Sequence, residues 1–347
     1  MPIFVRFIQT ISEPRALGSV NATYMNEILN TIDSLNINLK QESMLLVNII
    51  LAFVMFGVAL GIKVQTFKDV FKNPKSVFLG VALQWVILPA VTCLLAIVLN
   101  PFISPMIALG MILVASCPGG NISNFMSSLS KGNVELSVSL TALTTAFASF
   151  ITPINFLVWG SIYTRFAEVR HNIPELEIPF SDMLFQILII LGIPIVLGIL
   201  FANYCPKAAQ KVMKPSQILS ILLFAAMVAI TVKKVLEQIP AGNTDIVIGI
   251  FYVLLFVIIH NAAALGAGLA VGKLAKCPAA DCRTLTIETG IQNSGLGLAL
   301  LFNTAIFAPA DWANNGGMVL ITALWGVWHI VSGLSIAAIF RRTNIAK

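Results

Sequence analysis

Charge is what this 347-residue sequence has least of. Only 10% of its residues are Asp, Glu, Lys or Arg, where a soluble domain carries about 25%. Set beside 58% hydrophobic residues, that scarcity excludes an ordinary soluble domain and leaves an all-α polytopic membrane protein. The excess of basic over acidic residues, 21 against 15, is accounted for by membrane topology and does not point to nucleic acid. Histidine is scarcer still, at three residues. Acid–base material for an intramembrane enzyme therefore reduces to Glu288, Asp311 and His329. Asp311 reads as an outer-loop residue and Glu288 as one near the inner face, beyond the hydrogen-bond reach that proton transfer needs. The chain is read as a non-enzyme. Its five cysteines are scattered, and Cys277 and Cys282 share a short loop without histidine support, which argues against zinc and calls for no disulfide. The first 42 residues lack both an apolar run long enough to span and a classical signal peptide.

What the chain does have is apolar length. Nine segments, near 44–64, 76–99, 104–127, 134–162, 183–203, 216–235, 245–271, 284–307 and 317–340, are separated by turn residues such as Asn73-Pro74, Asn100-Pro101 and Lys131-Gly132-Asn133. Nine transmembrane helices place fourteen Lys and Arg on one side and seven on the other. The positive-inside bias then predicts an outer N-terminus and a cytoplasmic C-terminus, as expected of a multi-pass protein of the plasma (inner) membrane. The expected division is an extracytoplasmic amphipathic tail over 1–43, a transporter domain over 44–340 and a cytoplasmic tail over 341–347. Within the first, Met25, Ile28, Ile32, Leu35 and Leu39 recur at helical spacing and read as a helix lying at the membrane interface.

Glu288 is the most informative residue. It precedes Thr289-Gly290-Ile291-Gln292-Asn293-Ser294-Gly295 inside an otherwise membrane-grade segment, where a carboxylate costs roughly 3 kcal/mol. Either a cation or proton offsets that cost, or Glu288 is a helix-entry residue favoured by the N-terminal dipole. A second polar interruption, Cys117-Pro118-Gly119-Gly120-Asn121-Ile122-Ser123-Asn124, falls in the third segment. The two cross the membrane in opposite directions. Interrupted helices in corresponding positions of two halves point to a midplane site in an inverted-repeat transporter; the plainer reading is packing glycine.

Depth makes convergence testable. At ~1.5 Å of rise per residue, Ser137 and Glu288 lie about 5 and 6 Å from the inner face, and Thr141, Gln84 and Gln292 about 10 to 12 Å. Ser123 and Asn124 reach the same band after about 30 Å from outside. Ser137 and Thr141 share one helical face, although each alone reads as bonded back to its own helix. The set consists of hard oxygen donors with one negative charge, suited to Na⁺ or to a proton on Glu288, and unlike a zinc or copper site. His260 with Asn261, and His329, read as interhelical hydrogen-bonding groups within the membrane.

These motifs resemble the bile acid:sodium symporter family over about residues 45–340. The signatures are Cys117-Pro118-Gly119-Gly120 with Ser123 and Asn124, Gly132-Asn133 with Ser137 and Thr141, the run from Glu288 to Asn293, and Gln84 before Pro89. The resemblance implies panel and core domains and two broken helices that cross. It implies two Na⁺ sites, one using Ser123, Asn124, Ser137, Thr141 and Glu288, the other Gln84, Glu288 and Gln292 with backbone carbonyls at Thr289 and Ile291. Substrate, an organic anion such as a bile acid or small carboxylate, would sit near Asn121, Asn293 and His329. Asn121 replaces the Thr of bacterial relatives and Ile330 replaces an Asn, so the departures fall beside the substrate. Membrane lipid is the other expected partner, with no obligate protein partner evident. The competing functions are arsenite-type metalloid efflux, motivated by Cys117, and ligand sensing on the same fold.

Overall fold

The computed structural model describes residues 19–35, 44–62, 74–171, 184–185, 187–237, 244–303, 307 and 314–342. Leu39 and Asp311 lie outside them. The described residues are helices joined by turns, with one isolated antiparallel bridge, between Gly119 and Gln292.

In chain order the helices are α1 (Ser19–Asp33), α2 (Met44–Ala59), α3 (Pro74–Ala82), α4 (Leu88–Leu99), α5 (Pro105–Ser116), α6 (Ile122–Leu129), α7 (Val134–Ala146), α8 (Ala148–His171), α9 (Ile193–Tyr204), α10 (Pro206–Glu237), α11 (Thr244–Leu274), α12 (Ala279–Gly290), α13 (Ser294–Leu301) and α14 (Gly316–Arg342). Among the described residues, three continuous stretches are long and apolar enough to cross a membrane: Pro74–Leu99, Asp245–Leu274 and Gly316–Arg342. α7 with α8, bent by 75°, makes a fourth if it counts as one span. The surface is that of an integral multi-pass membrane protein. Phe78, Val86, Leu94 and Val98, on the same continuous span, are 55% to 72% exposed, a stripe that water would penalise and lipid would not. Gln84, Ser123, Ser137, Thr141, Asn261, Glu288 and Gln292 are buried instead.

Proline shapes the span that carries Gln84. Pro89 has no N–H and its ring crowds the preceding turn. The chain relieves this with a five-residue π turn, Leu83–Ile87, in which the Leu88 N–H reaches the Leu83 carbonyl. A second π turn, Leu188–Gly192, precedes Pro194 in the same way. π turns recur at functional sites, and the first places Gln84 inside the protein.

α2, α9 and α10 pack on one another, while α11, α12 and α14 pack together with α5 and α6 against α14. Glycines set the closest approaches. A Cβ on Gly268 of α11 would stand 2.6 Å from the Leu285 carbonyl oxygen and 2.7 Å from Thr286 Cα of α12. The helix of the N-terminal tail has its expected apolar face, but it rests on protein. Ile28, Leu29 and Ile32 are 3% exposed or less, α1 packs on α11 and α14, and Cβ atoms on Gly249 and Gly316 would strike Ile28, Ile32 and Leu35.

Candidate functional site

α5 stops where Cys117 turns extended (φ −74°, ψ 154°) ahead of Pro118, and the chain becomes helical again at Ile122. α12 stops at Gly290 and resumes at Ser294, so the second break covers only residues 291–293 and Gly295 lies inside a helix. The two breaks meet. The Gly120 N–H donates to the Ile291 carbonyl at 2.8 Å, and the Asn293 N–H donates to the Pro118 carbonyl at 2.8 Å. The crossing leaves no room for side chains: a Cβ on Gly120 would meet the Gln292 carbonyl oxygen at 3.2 Å, and one on Gly119 would meet Glu288 Oε2 at 3.0 Å. Part of the backbone freed by each interruption is thus satisfied by the other, as a low-dielectric interior requires.

Glu288 lies against this crossover and is 1% exposed. Ser123 Oγ of α6 donates to its Oε1 at 2.5 Å, Ser137 Oγ of α7 donates to the same oxygen, and Thr141 Oγ1 donates to Oε2 at 3.1 Å. Ser137 Oγ also lies 2.9 Å from Asn124 Oδ1. Back-bonding of Ser137 and Thr141 to their own helix is therefore not what the side chains do. Hydroxyls from two helices converge on one carboxylate of a third, and donors aimed at a carboxylate stabilise its negative form.

Behind the carboxylate lies an amide pair. Gln84 Nε2 donates to the Glu288 carbonyl at 2.5 Å, while Gln292 Nε2 donates to Gln84 Oε1 and to the Thr289 carbonyl, each at 3.0 Å. Gln292 Oε1 has no hydrogen-bond partner among the described residues. The Ile291 carbonyl accepts from Gly120, and a carbonyl keeps a second lone pair. All nine residues expected to line the ion sites thus surround the crossover. The donors are oxygens, the charge is single, and one buried amide oxygen is unclaimed: these residues fit an alkali cation.

The three expected substrate residues are less closely joined. Asn121 is exposed at the start of α6; Asn293 is half-buried and its Oδ1 accepts the Leu296 N–H at the start of α13; His329 is buried on α14. One turn beyond His329, Gly333 packs on Met126 and Ile291. Cys117 is 2% exposed, beside Gly297 of α13, and no metal-holding group of three or more His, Cys, Asp and Glu occurs among the described residues.

Sequence reading passed over one anchoring residue. Asp281, in the first turn of α12, accepts from Ser76 Oγ at 2.5 Å and from Asn133 Nδ2 at 2.9 Å. Asn133 caps α7 through the Leu136 N–H, and its carbonyl accepts from Thr284 Oγ1. Asp281 so joins the ends of the helices that carry Ser137 and Glu288. Its position four residues after Cys277 in a loop-like stretch hid it, though an acid in a first helical turn was a usable signal.

Comparison with known proteins assigns the chain to a family. The model of the Sodium Bile acid symporter family matches residues 48–241. The chain belongs to that family. Among symporter-family relatives, an uncharacterized sodium-dependent transporter, YocS, of Bacillus subtilis is 31% identical over 291 residues, covering 84% of this chain and 81% of the relative. A sodium-dependent organic anion transporter of Mus musculus is 27% identical over 307 residues, covering 88% and 75%. A probable sodium/metabolite cotransporter of rice chloroplasts, BASS2, is 29% identical over 251 residues, covering 72% of this chain and 55% of the relative. The chain thus spans about half the length of the rice protein.

Proposed function

We propose that this chain is a sodium-coupled symporter that imports an organic anion, a bile acid or small carboxylate, by alternating access. The observation that carries the reading is the convergence of Ser123, Ser137 and Thr141 on the buried Glu288 carboxylate beside the crossing of two broken helices. Sodium is cargo here. One ion would be held by Ser123, Asn124, Ser137, Thr141 and Glu288, and a second by Gln84, Glu288 and Gln292 with the Thr289 and Ile291 carbonyls. Hydroxyl and amide oxygens replace a water shell, and the carboxylate neutralises part of the ionic charge. The half-helices α6 and α13 begin at the crossover, so their N-terminal N–H groups offer partial positive charge to a carboxylate near Asn121, Asn293 and His329.

The nine spans, an inverted repeat and the outside-to-inside orientation belong to the same proposal. So does a panel built on α2, α9 and α10 that moves against the remaining helices as a core. Two Na⁺ with one monoanion move net charge +1, worth ~2.3 kcal/mol at about 100 mV. A tenfold Na⁺ gradient adds about 1.4 kcal/mol per ion, so roughly 5 kcal/mol drives accumulation of several thousandfold. Uptake of a labelled bile acid and of a labelled 2-oxo acid into proteoliposomes, with an inward Na⁺ gradient and with K⁺ in its place, tests this. Uptake of neither, or uptake equal in the two salts, counts against it.

A further inference from the structure

A helix that ends inside a membrane protein leaves its last carbonyls without helical partners. At the end of α12 each of these has a donor. The Ile287 carbonyl accepts the Ile291 N–H at 3.0 Å, the Glu288 carbonyl accepts from Gln84 and the Thr289 carbonyl from Gln292. The Gly290 carbonyl accepts from Asn261 Nδ2 of α11 at 2.8 Å. Gln84 and Gln292 are members of the ion set; Asn261 is not. It is fully buried, and its Oδ1 has no partner among the described residues, so the carboxamide serves only as a donor.

The fold delivers Asn261 to this carbonyl deliberately close. On α11 the sequence Asn261, Leu265, Gly268, Gly272 follows a spacing of four, three and four, which is one helical face. Gly268 and Gly272 bring the α11 backbone against Leu285, Thr286 and Cys282 of α12, and Gly290 has Leu265 where a Cβ would stand. The neighbouring His260 is held by Thr92 of α4, Nε2 to Oγ1 at 2.8 Å, and lies against the Trp325 ring of α14 with centroids 4.5 Å apart.

The Gly290 carbonyl and the Ile291 N–H belong to one peptide plane, tied at its nitrogen to Ile287 and at its oxygen to Asn261. That plane lies between the two whose carbonyls, Thr289 and Ile291, were assigned above to a cation. Gly290 has broad φ/ψ freedom, so the plane is fixed by its ties rather than by its own side chain. We infer that Asn261 is a positioning residue of the ion site: it never touches sodium, but its carboxamide pins the peptide that aims the two flanking carbonyls. This rests on the sodium reading proposed above.

The test uses the full chain purified in detergent and follows thermal unfolding in NaCl against KCl at constant ionic strength. Ligands that bind only the folded protein raise its melting point. Asn261→Leu keeps the shape and removes the donor. Its half-effective NaCl is expected to rise about tenfold, equivalent to ~1.4 kcal/mol. Asn261→Ala removes the donor and adds no bulk. Its half-effective NaCl is expected to rise about tenfold as well. If Asn261→Leu melts lower in KCl yet keeps the wild-type dependence on NaCl, Asn261 is a structural tie and the inference is overturned. If Asn261→Leu does not fold, Asn261→Ala decides: a wild-type dependence on NaCl in that variant overturns it as well. A wild-type protein with no sodium-selective increment overturns the sodium reading and this one together.

Discussion

Replacing Glu288 by Gln removes the charge at the crossover while leaving its shape. In the structure Oε1 receives Ser123 and Ser137, and Oε2 receives Thr141. A glutamine keeps a carbonyl oxygen for the two serines, and its NH₂ group can face Thr141, whose hydroxyl rotates to accept. The fold is therefore expected to survive, with melting in KCl close to that of wild type. Sodium affinity is not. Two unit charges about 4 Å apart interact by about 4 kcal/mol at the effective dielectric near 20 that describes protein sites, which corresponds to roughly three orders of magnitude in binding. Melting of purified protein is measured across NaCl at constant ionic strength, with wild type and Glu288→Gln side by side. Wild type should be raised by NaCl over KCl, and Glu288→Gln should give the same curve in both salts up to molar concentration. A Glu288→Gln protein whose melting rises with NaCl over the wild-type range refutes the assignment of the carboxylate to a cation.

Two further expectations concern regions away from the ion set. Asp33, at the end of α1 and outside the apolar spans, accepts from Ser104 Oγ at 2.8 Å and from the Met106 N–H, and lies against Gly317. Burial pushes its carboxyl up from 3.8 to about 8, against the smaller opposing effect of those hydrogen bonds. The folded chain holds this proton more tightly than the unfolded one, so the stability contributed is complete below the ordinary value and is lost as pH rises through about 8. Melting of wild type relative to Asp33→Asn should fall over that window, and parallel pH profiles would refute the claim. Gly268→Ala places a methyl against the α12 backbone and should cost about 1 to 3 kcal/mol, while a Cβ on Gly266 meets nothing within 4 Å. Denaturation of the two variants compares them directly, and equal loss, or none, would mean that the α11–α12 seam is not closely packed.

Much of the site was legible because depth is legible. Once the apolar runs and the side of the membrane are assigned, the fixed rise of a helix brings Gln84, Ser137, Thr141, Glu288 and Gln292 to one level, and Gly and Pro mark where the two helices break. What a linear pattern does not carry is rotation about the helix axis. Ser137 and Thr141 could equally have bonded back to their own helix; they reach Glu288 because α7 packs on α12. The apolar face of α1 was likewise visible in Met25, Ile28, Ile32 and Leu35, but an amphipathic stripe has the same spacing whether lipid or protein covers it. Here α11 and α14 cover it.

From its residues alone, then, this chain is committed to the membrane, to two interrupted helices and to an oxygen-rich set around a single carboxylate, since composition and periodicity act locally. The tertiary structure decided which atoms meet: that the two breaks pair by backbone hydrogen bonds, that Asp281 fastens the ends of α7 and α12, and that Asn261 holds the Gly290 carbonyl. Those contacts depend on how closely neighbouring helices approach and how each is turned. Glycines distant in sequence, at 119, 120, 268 and 290, set that closeness by what they leave out.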